Sequence, residues 1–192
     1  MSKVIYLKNT YSIGGTDMIN DNIEKMAMSI LDINGFNNVV VDPVKLANAY
    51  GIKVKNAKFT SDDISGMLKN ENGERTIYVN SSEPSRRKRF TIAHELGHYF
   101  LGHLEEGSKT IHRKNDFFSK DKPELEANAF AAALLMNQYK VKELYKKLNY
   151  IGVPQELIIE HMASTFKVSK SAVSIRLKEL NLINDREPEL CK

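Results

Sequence analysis

The chain has 192 residues, 42% of them hydrophobic and 27% charged, with a formal net charge of +4. This balance fits a compact globular protein with one good core and a small appendage, not a disordered or fibrous chain. No apolar run approaches the roughly 20 residues that cross a bilayer, and Met1-Ser2-Lys3-Val4-Ile5-Tyr6 lacks the apolar core and cleavage site of a signal peptide, so the cytoplasm is the expected location and no membrane partner is expected. The single cysteine, Cys191, excludes a disulfide framework within one chain and a cysteine-built zinc site.

Residues 1–16 are a candidate flexible lead. Ile19, Ile23, Met26, Ala27 and Ile30 then recur at helical spacing and predict a helix over 16–33. Asp42-Pro43 opens a second short helix through Tyr50. Ile52-Lys53-Val54 alternates as a strand, and 66–69 followed by 75–79 reads as a hairpin turning at Asn70-Glu71-Asn72-Gly73. The 75–79 strand is the candidate exposed edge, where an extended substrate can add to the sheet. A helix starts near Glu83-Pro84 and carries the cationic cluster Arg86-Arg87-Lys88-Arg89 at its mildly unfavourable N-terminal end, which reads as a solvated charged face. Residues 105–122 are polar and read as a loop, and Pro123 begins a further helix running through Leu135.

His94-Glu95-Leu96-Gly97-His98 carries the chemistry. Residues four apart share one helix face, so His94 and His98 can direct ring nitrogens at one metal ion, with Glu95 on the same turn. Zinc acidifies a coordinated water, and a neighbouring carboxylate can take its proton as the water attacks a carbonyl carbon. Ile92, Leu96, Tyr99, Phe100 and Leu104 mark a packed helix around the motif. Gly97 costs about 1 kcal/mol relative to alanine in a helix, which implies that another chain segment approaches the backbone there.

A catalytic zinc site needs a third protein ligand and an open position. The HExxHxxGxxH scheme fails, because positions 101 and 104 are leucines and His103 is one residue out of register. The other scheme takes a glutamate from the later helix. Glu124 and Glu126 lie about 200° apart around it, so one at most faces the metal. Glu124 is preferred because Asn128, at i+4, can orient a ligand imidazole from behind; Glu126 would place Phe130 there. Ala127 lets this helix pack closely on the first. Tyr78, Tyr99, His103 and His112 are the candidates for stabilising the oxyanion that amide hydrolysis creates.

At this point the chain resembles the ImmA/IrrE-type metallopeptidases, which belong with the gluzincins. The resemblance rests on Arg89-Phe90-Thr91-Ile92-Ala93-His94-Glu95-Leu96-Gly97-His98, on Glu124-x-x-Ala127-Asn128-x-Phe130-Ala131 and on Leu134-Leu135-Met136. Weaker matches around Leu46-Ala47, Tyr50-Gly51-Ile52, Ser65-Gly66-Met67 and Tyr78-Val79-Asn80 extend it over roughly residues 20–140. Asn137 departs from the proline that often follows the Leu-Leu-Met run. The resemblance implies a zinc peptidase with His94, His98 and Glu124 as ligands and Glu95 as general base, whose substrate is often a helix-turn-helix repressor of stress, phage or mobile-element genes.

The expected fold is α+β: a small zincin-like peptidase domain over 1–150, with a short antiparallel or mixed sheet on the motif helix and the glutamate helix, and a helical unit over 151–192. That unit, from Ile158 to Leu180, resembles a helix-turn-helix with Ser169 capping its second helix. Direct DNA contact is disfavoured by charge: Lys167, Lys170, Arg176, Lys178, Arg186 and Lys192 are matched by Glu156, Glu160, Glu179, Asp185, Glu187 and Glu189. The competing class is a DNA- or protein-binding regulator that keeps the zinc fold without efficient proteolysis.

Overall fold

The computed structural model describes residues 16–36, 38–105, 107–113 and 121–184, with side chains of the first helix from Asp21 onward. Residues 1–15 of the candidate lead and Cys191 lie outside these residues. The architecture is α+β: seven helices and a small mixed sheet among the described residues.

Helix α1 (Thr16–Ile33) spans the expected range and buries Ile23, Ala27, Ile30 and Leu31. Helix α2 (Pro43–Ala49) is capped by Asp42, whose carboxylate accepts from Val44 N and Lys45 N, with proline in the first turn where no N–H is needed. Three strands follow: β1 (Lys53–Ala57), β2 (Ile64–Glu71) and β3 (Glu74–Asn80). The β2–β3 hairpin turns through Asn72 and Gly73, both at positive φ (53° and 75°), as a two-residue turn matched to strand twist requires.

Strand order corrects the expected edge. The sheet runs β1-β3-β2-β4, where β4 is His112–Arg113. Strand β3 lies inside it, paired antiparallel with β2 (Leu68↔Ile77) and parallel with β1 (Lys53↔Thr76). The 75–79 strand is therefore not available to an incoming chain. Its open side is closed by β1, a partner from beyond the hairpin that no local pattern announces. The expected loop over 105–122 is likewise corrected in part: Gly66 pairs with His112, Ile64 with Arg113, and Lys69 bridges to Lys109. A two-residue strand is too short to leave an alternating pattern.

Helix α3 (Ser85–Phe100) is buried without a break from Phe90 to Tyr99, because the sheet covers one side and helix α4 (Lys122–Leu135) another. Helix α5 (Gln138–Tyr150) begins at Asn137, whose side chain accepts from Tyr139 N and Lys140 N. The residue that departs from the family pattern is thus a helix cap. Helices α6 (Gln155–Phe166) and α7 (Lys170–Glu179) are joined through Lys167 in the left-handed region, with Ser169 Oγ accepting from Ala172 N. Their buried residues, among them Ile158, Met162, Phe166 and Leu177, belong to the same apolar cluster as Leu31, Ile77 and Leu96.

Two cations counted as surface charge are anchors instead. Arg176, 4% exposed, is ion-paired with Glu24 of α1, and its Nε and Nη2 each donate to Met136 O at 3.1 Å. Arg89 donates to Val41 O at 2.7 Å and to Lys167 O at 3.3 Å. Among the described residues, no helix is long and apolar enough to cross a membrane.

Candidate metal centre

Helical periodicity sets His94 and His98 one turn apart on α3, with their Nε2 atoms 3.0 Å from each other. Both residues are buried, at 0% and 2% exposure. Glu124 reaches them from the first turn of α4: its Oε2 lies 3.1 Å from His94 Nε2 and its Oε1 3.3 Å from His98 Nε2. What brings α4 so close is Gly97. A β-carbon there would lie 3.0 Å from both Cα and O of Ala127 and 3.3 Å from Cβ of Phe130. The glycine and the small Ala127 let two backbones nearly touch, one turn from the ligands.

The outer ring nitrogens fix the tautomers. Asn128 Oδ1 lies 2.9 Å from His94 Nδ1, so this nitrogen donates and its Nε2 keeps a lone pair. His98 Nδ1 faces His103 Nδ1 at 3.1 Å, and His103 Nε2 faces Glu126 Oε2 at 3.2 Å. Burial holds His103 below the usual range and so neutral; with Nε2 donating to Glu126 its Nδ1 accepts, which makes His98 Nδ1 the donor. Both inward Nε2 atoms then converge with the Glu124 carboxylate on one point. Burial opposes charge on Glu124, yet its two imidazole partners hold the carboxyl well below the usual range, so it is ionised at neutral pH. Two ring nitrogens and a carboxylate converging in a buried place are the ligand types a divalent ion takes. Separations of 3.0–3.3 Å between Nε2 and Glu124 oxygen atoms approach the roughly 3.3 Å edge of a tetrahedron with bonds of about 2.0–2.1 Å. His94, His98 and Glu124 together are a fitting divalent-ion site.

Glu126, the rival glutamate, faces away from this cluster and pairs with His103 and, at 3.6 Å, with Lys122. His103 is not a ligand, but it is closer to the chemistry than its register suggests. The helix ends at Leu101, Gly102 adopts a positive φ of 75°, and His103 N donates back to His98 O at 2.9 Å. This Schellman turn folds His103 against the last ligand, and the Leu-Gly pair was its signal in the sequence.

Glu95 is fully buried beside the cluster. Burial pushes its carboxyl up from the usual range, against the pull of His94, His98 and a hydrogen bond from Thr110. A carboxyl beside the convergent ring nitrogens is the type of group that can accept and release a proton in hydrolysis. Its Oε2 accepts from Thr110 Oγ1 at 2.6 Å, whereas Oε1 has no hydrogen-bond partner among the described residues. Of the four oxyanion candidates, His112 stands against the site, its ring 4.0 Å from that of His94, and burial together with the neighbouring imidazole pushes it down to about 2, leaving it neutral. Tyr99 packs on Tyr50 and Phe100 under the Arg75 guanidinium instead. Tyr78 alternates with Ile77 and Val79 and so points to the sheet face away from α3. Thr110 went unnoticed in the sequence, because nothing in a polar loop distinguishes one threonine.

Residues 47–178 match the sequence profile of the IrrE N-terminal-like domain, a peptidase family. The chain belongs to this family of ImmA/IrrE metallopeptidases. The match extends beyond the resemblance read from the sequence and takes in α6 and nearly all of α7. Metallopeptidase ImmA of Bacillus subtilis is 26% identical over 164 residues, covering 85% of this chain and 89% of that protein. An uncharacterised immunity region protein 2 of Bacillus phage phi105 is 32% identical over 103 residues, covering 50% of this chain and 63% of that one.

Proposed function

We propose that this metallopeptidase is a zinc-dependent endopeptidase acting in the cytoplasm on a regulatory protein, namely a helix-turn-helix repressor whose cleavage derepresses stress, phage or mobile-element genes. The observation that carries the reading is the convergence of His94, His98 and Glu124 ligand atoms with Glu95 buried beside them. Two imidazoles and a carboxylate match the ligand chemistry of a catalytic zinc site. Zinc held there supplies Lewis acidity toward water and the peptide carbonyl.

The rest of the chemistry falls to the chain. Glu95 takes the proton of the attacking water at Oε1 and delivers it to the departing amine nitrogen. His112, neutral and against His94, is the N–H donor placed to steady the developing oxyanion. Asn128 holds His94 in its ligating tautomer. On this reading residues 1–150 perform the hydrolysis and the helix pair over 151–192 braces α1 and the end of α4 through Arg176.

The test is to measure metal content after mild purification, then to mix the protein with the repressor encoded beside its gene and weigh the fragments. Wild-type protein should yield two fragments, and Glu95→Gln should bind metal normally yet leave the repressor intact. If both proteins leave it whole while the gene remains regulated, the competing reading of a non-proteolytic regulator stands instead.

A further inference from the structure

Thr110 lies two residues ahead of β4, on the segment that runs along the outer side of β2. Its N–H donates to Leu68 O at 2.9 Å and its hydroxyl accepts from Leu68 N at 3.3 Å. The neighbouring pairs, Asn70 N to Ser108 O at 3.1 Å and Gly66 with His112, fix the same stretch. With Leu68 N–H on its acceptor side, the hydroxyl has one proton to give. It gives it to Glu95 Oε2 at 2.6 Å, a separation typical of a hydroxyl bound to an ionised carboxylate.

We infer that Thr110 is the positioning residue of the general base, an inference that rests on the peptidase reading above. A carboxylate turns easily about its terminal torsion, which has broad, two-fold wells. A base that must take a proton in one direction loses efficiency when it turns. Thr110 pins Oε2 to the sheet through Leu68, which is fully buried, and so leaves Oε1, buried and without a hydrogen-bond partner among the described residues, as the oxygen that works. Gly66 lets β2 lie close against α3 beside this carboxylate: a β-carbon there would run into Thr91 Cγ2 and stand 2.9 Å from Tyr78 O. Threonine and serine can both serve; valine has threonine's shape without the proton.

Thr110→Val and Thr110→Ser, loaded with zinc, are compared with wild type and Glu95→Gln on the repressor encoded beside the gene. The valine variant should lose about 10- to 100-fold in kcat with KM within about threefold, and the serine variant should return to within about threefold of wild type. Zinc affinity and the visible spectrum of cobalt-loaded protein should be unchanged in both, which a collapsed site would not permit. Thr110→Ala, which keeps the backbone bonds of the segment, is scored if the valine variant does not fold. A valine or alanine variant as fast as wild type, or a serine variant as slow as valine, overturns the inference. A faster valine variant overturns it too and makes Thr110 a bar across the base. If wild type itself cuts nothing, the peptidase reading falls and this inference with it.

Discussion

Replacing Gly97 by alanine should damage metal binding. The new methyl group would lie 3.0 Å from Cα and O of Ala127 and 3.3 Å from Cβ of Phe130, while comfortable carbon contacts begin at about 3.5 Å. The obstructing atoms are mainly α4 backbone, so the relief is a separation of α3 and α4 by a few tenths of an ångström. Glu124 sits one turn away on α4 and moves with it. Metal–ligand bonds tolerate about ±0.2 Å, so the displacement exceeds what the site absorbs, and affinity should fall about 10- to 100-fold. Folding is nearly balanced: alanine gains about 1 kcal/mol in helix propensity, and overpacking costs about 1–3 kcal/mol. The assay is zinc competition against a chromophoric chelator, with guanidinium unfolding in excess chelator for the metal-free protein. An alanine variant that binds zinc within threefold of wild type would refute the claim that the Gly97–Ala127 approach sets the position of Glu124.

Asn128→Ala, which removes the acceptor from His94 Nδ1, should weaken zinc about 10- to 100-fold in the same competition assay, and an unchanged affinity would show that the ring needs no orienting partner. Arg176→Ala strands Glu24 inside the fold and should cost about 3–5 kcal/mol, a fall in Tm of about 6–20 °C for a chain of this size. Adding Glu24→Gln should recover part of the loss, and a Tm within about 2 °C of wild type for the single variant would rule out the buried pair as an anchor.

The sequence was most transparent where a local rule decides the outcome. Apolar spacing marked α1, Asp42-Pro43 marked the start of α2, Asn72-Gly73 marked the hairpin, and the i+4 relation linked Glu124 to Asn128. The preference for Glu124 over Glu126 came from asking which face of one helix carries a second polar group, and the structure sets Glu124 by His94 and His98 and Glu126 by His103. What stayed hidden depends on partners distant in the chain. The interior place of β3 follows from parallel pairing with β1, and the role of Thr110 follows from alignment with Leu68 across the sheet. Arg176 and Arg89 looked like solvent-facing charge, because a guanidinium and a carbonyl from another element leave no common pattern.

Placing β3 inside the sheet hands one border to β1, whose exposed residues include Lys53 and Lys55. Lysines on a border strand resist self-association, since a second copy laid alongside would meet ammonium groups of like sign. Lys53 is also held at 2.9 Å by Glu74 of the adjoining strand. Among the described residues, the border of the sheet at β1 therefore carries charge of the kind that disfavours strand-to-strand association.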